Sequence, residues 1–482
     1  MRLFLGVLLS VLLLGLVSCP PAEEADGTKP VVKDNGKPVT ADTSPIKLGF
    51  NLEETGNAAT FGVSAHKGAE LAIDELNAGG GVLGRSIEAV FDDNASLPQQ
   101  SANVASKLIN QNRVDVLIGA VGSSQSIAMA RIAEESKVPM VTPASTNPDV
   151  TRNDDGSVRT YVFRTCFTDD FQGEGIADFA VNGPIGAKRA CIFYDAENDY
   201  SVGIYETVLK VAADKGLEVV AEDSYLGQSE TDFRTKLNKF KRHEFDVLIV
   251  PGYYNQVALI ANQAREVGLE QPLLGGDGFD SPELWKVAGP NIEGSYFTNH
   301  YASDDMDPAV QGFIKKYKDR YGGQMPDAMS ILTYDAVMVV ADAIRRVGGT
   351  DKDALAATLA DTAGFKGAAG TITIDEFHNA TKKLVVLAIG EGGAFSWVYT
   401  YDPFAAEETE APEEMENGGE LAPDEAAGDD TDDDELGDDE DGADDDGDVD
   451  EEGDVDAEDD EEDNPSEVVD DFEKEVEDVT NT

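Results

Sequence analysis

From Ile46 onward, apolar runs of strand length alternate with apolar residues at helical spacing, and this alternation constrains the fold more than any other feature of the chain. Residues 46–50 form a short apolar run. A polar loop over 51–60 follows, and then Ala65, Ala69, Ala72, Ile73 and Leu76 recur at helical spacing until Gly79-Gly80-Gly81 stops them. Residues 87–91 and 114–119 read as further strands, with a helix between them that turns Val104, Leu108 and Ile109 inward. Strands separated in this way by helices run parallel and are covered on both faces, so the class is α/β.

After a connection at 161–166 the pattern begins again. Strands are expected over 190–194, 217–221, 245–250 and 273–274, and helices near 200–213, 232–242 and 256–267, with a turn-rich loop over 275–280. Two long apolar-striped segments, 308–321 and 328–347, come after this second series is complete, so they are expected to return and cover the first. Strands over 370–374, 383–389 and 394–401 close the folded part. The expectation is two doubly wound parallel-sheet lobes joined by a hinge of several crossings. Lobe 1 would take 46–164 and 298–373, and lobe 2 would take 165–297 and 374–402. Lobes on such a hinge close over a cleft.

The two ends of the chain differ from this body. Of the net charge of −60, residues 403–482 hold −40, with 41 Asp and Glu against the single Lys474, leaving a moderately acidic body. Such a balance excludes a nucleic-acid partner, which would need basic patches to neutralise phosphate. The tail has hardly any large apolar residues and is expected to be disordered. Asp448, Asp450, Glu452, Gly453 and Asp459 approximate a calcium-loop spacing, which a run this acidic produces by chance. At the other end, Arg2 precedes an apolar run over 3–17, too short for a comfortable membrane span and suited to an export signal. Leu16-Val17-Ser18-Cys19 resembles a bacterial lipobox, so 1–19 reads as a lipoprotein signal peptide, with lipidated Cys19 anchoring the exported protein at the membrane of the periplasm or cell surface. Residues 20–45, rich in Pro, Lys, Asp, Thr and Gly, read as a flexible tether. Cys166 and Cys191 are expected to be separate buried thiols, because a strand beginning near Cys191 would hold it far from the cleft.

Chemistry concentrates in the stretch 119–146. Ser123 and Ser124 stand where a helix begins, since Ile127, Ala128, Ile132 and Ala133 follow at helical spacing, and a second hydroxyl-rich loop over 142–146 follows an apolar run. A helix start offers unpartnered N–H groups and partial positive charge, which suits an anion. In a parallel α/β sheet both loops would lie beyond the carboxyl ends of the strands, where ligands settle. The plainer alternative is that the two serines merely cap the helix.

The segments KGAELAIDELNAGGGVLGRSIEAVFDDNAS at 67–96, VDVLIGAVGSSQSIAMARIAEESKVPMVTPAST at 114–146, FRTCFTDDFQG at 163–173, FDVLIVPGYYNQ at 245–256 and LLGGDGFDS at 273–281 resemble the type I periplasmic substrate-binding proteins of ABC transporters, in the leucine/isoleucine/valine-binding branch. The resemblance spans roughly 45–402 and covers neither tether nor tail. It implies two lobes closing over an amino acid, which is then passed to a membrane permease. It also implies that Ser123 holds the ligand carboxylate, that the Ala144 carbonyl accepts from the ammonium, and that Thr146 assists at both ends. Phe61 would face the ligand side chain, Tyr200 and Tyr253 would fold over from lobe 2, and Asp277 would pair with the ammonium. Asp277 stands where the branch usually carries the longer Glu, and Phe61 lacks the hydroxyl of a Tyr; both leave the amino acid open.

An enzyme is not expected. Ser123 lacks a G-x-S-x-G elbow, there is no G-x-x-x-x-G-K phosphate loop, and His66, His243, His300 and His378 are scattered without metal-ligand spacing, so they read as structural or exposed. Trp285 and Trp397 read as packing residues. No catalytic residue, metal or cofactor is therefore expected. Two other roles stay open for the same fold: a sensory component that passes the signal to a membrane receptor, and a surface lipoprotein whose acidic tail binds cations or basic partners.

Overall fold

The computed structural model describes residues 42–403 apart from Gln228, together with the backbone of a two-residue ladder, Lys33–Asp34 against Lys37–Pro38. The expected signal peptide with Cys19, most of the expected tether, and the acidic tail with its calcium-like spacing lie outside the described residues. Residues 42–45, the end of the expected tether, pack on the body, where the Ser44 carbonyl accepts a 2.7 Å hydrogen bond from Arg85 Nε.

In the first lobe, β1 (Ile46–Leu52), β2 (Ile87–Asp93), β3 (Val116–Gly119), β4 (Met140–Thr142) and β5 (Val162–Arg164) form an all-parallel sheet in the order β2-β1-β3-β4-β5. Alternate side chains of these strands go to opposite faces, and the central β3 (Val116–Gly119), covered on both faces, is apolar throughout, whereas the edge strand β2 carries Glu88, Asp92 and Asp93. Val116, Ile118 and Val141 pack under α1 (Ala59–Ala78), while Leu117 and Met140 join a separate core with α2 (Pro98–Lys107) and α3 (Ser123–Ser136). Gly119 ends β3 at φ 123°, and a Cβ there would meet the Asn51 carbonyl oxygen at 2.2 Å, so only glycine lets the chain turn into the Ser123 loop beside β1.

The second lobe is a mixed sheet. Its parallel part comprises β6 (Arg189–Asp195), β7 (Glu218–Tyr225), β8 (Val247–Ile249), β9 (Leu273–Gly275) and β10 (Tyr296–Asn299). Its flanking helices are α4 (Asp169–Asn182), α5 (Asp199–Lys215), α6 (Arg234–Phe240), α7 (Tyr254–Glu266) and α8 (Pro282–Ala288). As expected, α9 (Pro308–Arg320) and α10 (Ala328–Val347) return to the first lobe, α10 lying along α1. A short helix α11 (Lys352–Ala360) precedes a three-stranded sheet of β11 (Phe365–Gly367), β12 (Gly370–Ile374) and β13 (Ala380–Thr381). Finally β14 (Leu384–Ile389) and β15 (Phe395–Tyr401) extend the second sheet antiparallel, beside β10.

Some boundaries move. The strand expected over 217–221 continues to Tyr225, and the helix expected over 232–242 shrinks to Arg234–Phe240. Helices α8 and α11 were not expected, although their capping residues, Ser281 and Asp351, each accept a hydrogen bond from the first turn as such residues do. Trp285 packs against Gly393, but Trp397 is 52% exposed on the edge strand β15, because no described residue covers that face of the last strand. Cys166 and Cys191 are free and buried, as expected.

The chain passes between the lobes after β5, after β10 and between β13 and β14. Each passage carries a buried basic side chain: Arg164, His300 and Lys382 are 0, 3 and 6% exposed. Burial pulls the pKa of all three downward.

Candidate ligand site between the lobes

The site is assembled from strand ends. In the first lobe the loops after β3 and β4 are locked to each other. Ser145 Oγ donates to the carbonyls of Ala120 and Val121 at 3.1 and 2.9 Å and lies 2.7 Å from Ser126 Oγ, and Thr142 Oγ1 donates to Ala120 O at 2.7 Å. Arg164 pins the second loop from below, donating to Ser145 O at 2.7 Å and Asn147 O at 2.8 Å. Helix α3 begins inside this frame. Its cap is Gly122, with no side-chain cap bond, so Ser123 and Ser124 stand in the first turn and do not cap it. Ser123 Oγ accepts from Asn147 N–H at 3.3 Å, and the first-turn amides have no acceptor within their own helix.

From the second lobe, the short turn Asp277–Phe279 is drawn against α5, with the Gly278 N–H donating to Tyr200 Oη at 3.0 Å. A Cβ on Gly276 would meet that same hydroxyl at 2.3 Å, so the approach depends on glycine. The Tyr200 and Tyr253 rings stack with centroids 5.2 Å apart, and Tyr253 meets Phe61 of the first lobe edge-on at 5.5 Å. Burial raises both tyrosine hydroxyls well above their ordinary pKa, so they remain protonated donors.

All seven residues singled out from the sequence, Phe61, Ser123, Ala144, Thr146, Tyr200, Tyr253 and Asp277, line one small cavity between the lobes, with Val121, Gly278 and Met329 completing its wall. A larger cavity of about 860 Å³ lies to one side, between Val63 and Lys67 of α1 and Trp285 of α8.

Several groups around the small cavity escaped sequence reasoning. His300, read as structural or exposed, has its Nε2 3.0 Å from Asp277 Oδ2 and its ring stacked on Phe167 at 3.8 Å. Gln172 Oε1 accepts the Asp277 N–H at 2.7 Å and the Thr298 hydroxyl at 2.6 Å. Asp169 is fully buried; burial, with Asp277 nearby, holds its carboxyl well above the usual carboxylate range, and Thr146 only partly offsets this. Among the described residues Asp277 Oδ1, both Asp169 oxygens and Thr146 Oγ1 are buried without a hydrogen-bond partner of normal geometry. Glu53 follows the carboxyl end of β1, so the strand-end rule that selects Ser123 points to it as well.

Direct bonds also join the lobes beside the cavity. Tyr254 Oη donates to Asn57 O at 3.1 Å and accepts from Thr60 Oγ1 at 2.9 Å, and Asn147 Nδ2 donates to Asp199 O at 2.7 Å.

Hydroxyls, helix amides and aromatic faces on two lobes tied across a cavity make a site suited to holding a small molecule. The chain belongs to the periplasmic binding protein family, whose model matches residues 45–394. Over 342 residues, 70% of this chain and 87% of the relative, it is 31% identical to a leucine-, isoleucine-, valine-, threonine- and alanine-binding protein of Pseudomonas aeruginosa. The crystal structure of a leucine-binding protein from Thermotoga maritima matches with 38% identity and a TM-score of 0.70, over 74% of this chain and 99% of that one. A branched-chain amino acid transporter substrate-binding protein from Streptococcus pneumoniae, solved in complex with isoleucine, matches with 32% identity and a TM-score of 0.69, over 74% of this chain and all of that one (100%).

Proposed function

We propose that this chain captures an α-amino acid with an aliphatic side chain, leucine, isoleucine or valine in the first place, and delivers it to an ABC transporter permease from a lipid anchor at Cys19. The observation that carries the reading is Asp277. Its Oδ1 is buried and unpartnered, across the same cavity from the first turn of α3. A buried carboxylate without a cation is costly, and an ammonium relieves it. The amides of α3 with the Ser123 and Thr146 hydroxyls suit a carboxylate. An α-amino acid carries both charges on one carbon, and Phe61, Val121 and Met329 offer its side chain an apolar wall. The names of the relatives agree with this chemistry.

Calorimetry tests it. Leucine is expected to bind at least a hundredfold more tightly than 4-methylpentanoate, which keeps its carboxylate and side chain but lacks the ammonium, since leaving a buried charge unpaired costs about 3–5 kcal/mol. Equal affinity would overturn the assignment of Asp277.

A further inference from the structure

We propose that Glu53 is a positioning residue of this site that takes up a proton when a carboxylate ligand docks at the start of α3. The inference rests on the reading of Ser123 given above and adds to it a charge coupling. Glu53 is fully buried, and its two carboxyl oxygens accept the N–H groups of Val121 and Gly122 at 3.1 Å each. These are the amides immediately before Ser123, so an internal acid already occupies part of the positive end of the helix.

Among the described residues, none of the groups placed against it carries a positive charge. The amides of Val121 and Gly122 and the side chain of Asn94 are neutral, Gly62 of α1 packs against its backbone, and from α7 the facing titratable group is Tyr253. Two carboxylates, one on Glu53 and one on the ligand, would therefore share a single helix start, and like charges in a dry site cannot both stay ionised cheaply. Burial has already pushed the Glu53 carboxyl up to about 7, against which the Gly122 and Val121 amides work. A second negative charge pushes it in the same direction. The proton comes from solvent, and the neutral acid still accepts from the loop amides, so the loop keeps its shape while the repulsion is removed.

The ammonium end works in the opposite sense, because Asp169, which burial holds well above the usual carboxylate range, is favoured as a carboxylate beside a cation and would release a proton. Comparison of the native chain with Glu53→Gln separates the two ends. Leucine, isoleucine and valine would be titrated into both proteins between pH 6 and 8.5, in buffers of different ionisation enthalpy. The native chain is expected to take up a fraction of a proton more per ligand than the variant near pH 7. Relative to the variant, its affinity should fall by up to about tenfold per pH unit above pH 7. Equal proton uptake and parallel pH profiles would overturn the inference and leave the proposed function standing, whereas no binding of any of the three ligands would overturn both. Should Glu53→Gln fail to fold by circular dichroism, carboxyl NMR of the native chain decides: the Glu53 titration must move to higher pH on adding leucine, and an unmoved titration overturns the inference.

Discussion

The two halves of the site are built on different principles. The first-lobe half is backbone and hydroxyl, cross-braced by Ser145, Thr142 and the buried Arg164, and in the proposed function its hydroxyls and amides meet the ligand's carboxylate. In the second-lobe half the proposed recognition rests on one acidic side chain and two aromatic rings, with Asp277 held by His300 and Gln172 and Tyr200 by the Gly278 amide. A frame of many small, redundant contacts loses little when one is removed. Asp277, whose carboxyl meets one ring nitrogen while its backbone N–H is held by Gln172, loses its whole side-chain contribution on truncation. In the proposed function, docking would therefore belong to the first lobe and discrimination to the second.

That division can be broken by substitution. Asp277→Ala is expected to weaken leucine binding by about two to three orders of magnitude, because the ammonium is then buried unpaired, while Ser123→Ala should cost only about tenfold, the lower range for one hydrogen bond to a charged group. Calorimetry on both variants decides, and a larger loss from Ser123→Ala would reverse the assignment of roles. Tyr254→Phe keeps the ring packed edge-on against Phe61 but removes the hydroxyl that bonds Asn57 and Thr60 across the lobes. A few-fold faster leucine release in stopped-flow is expected, from about 0.5–1.5 kcal/mol of lost closure energy; an unchanged rate would show that this bond does not help to hold the cleft shut.

The smallest effect concerns the protein without ligand. Glu53 and Asp280 are pushed up to about 7, and Asp327 and Asp335 to about 6, in each case chiefly by burial. A carboxyl whose folded pKa lies above its unfolded value stabilises the fold as pH falls through the folded value, and the gain is complete only below the unfolded one. His300 and His378, which burial holds below the ordinary histidine value, act in the opposite direction on acidification. Burial raises Asp169 and Asp195 as well, so with six such carboxyls against two histidines the melting temperature of the native chain should rise by a few degrees between pH 8 and about pH 5.5. A flat or falling profile in scanning calorimetry would show that these acids are relieved by water or by motion.

The first-lobe half was the more legible in the sequence, for a physical reason. Its groups lie within 28 consecutive residues at the ends of two adjacent parallel strands, so strand, helix and hydroxyl signals stand side by side in 119–146. Asp277 and the two tyrosines became visible only through a resemblance, because a lone acid in a glycine-rich loop looks like any turn. Nothing local marks His300 or Gln172, since they meet Asp277 from 23 and 105 residues away. Arg164 carried a faint signal, a charge at the end of an otherwise apolar strand. The same limit explains α8 and α11: both are short, and their caps were readable but their apolar stripes were not.

The larger cavity beside the cleft has a practical consequence. Trp285 stands on its second-lobe wall and Val63 and Lys67 on the opposite one, so parting of the lobes must change the surroundings of this indole without any ligand touching it. The chain has only one other tryptophan, Trp397, which is half exposed on an edge strand. Native emission thus contains a built-in optical gauge of lobe movement over a nearly constant background.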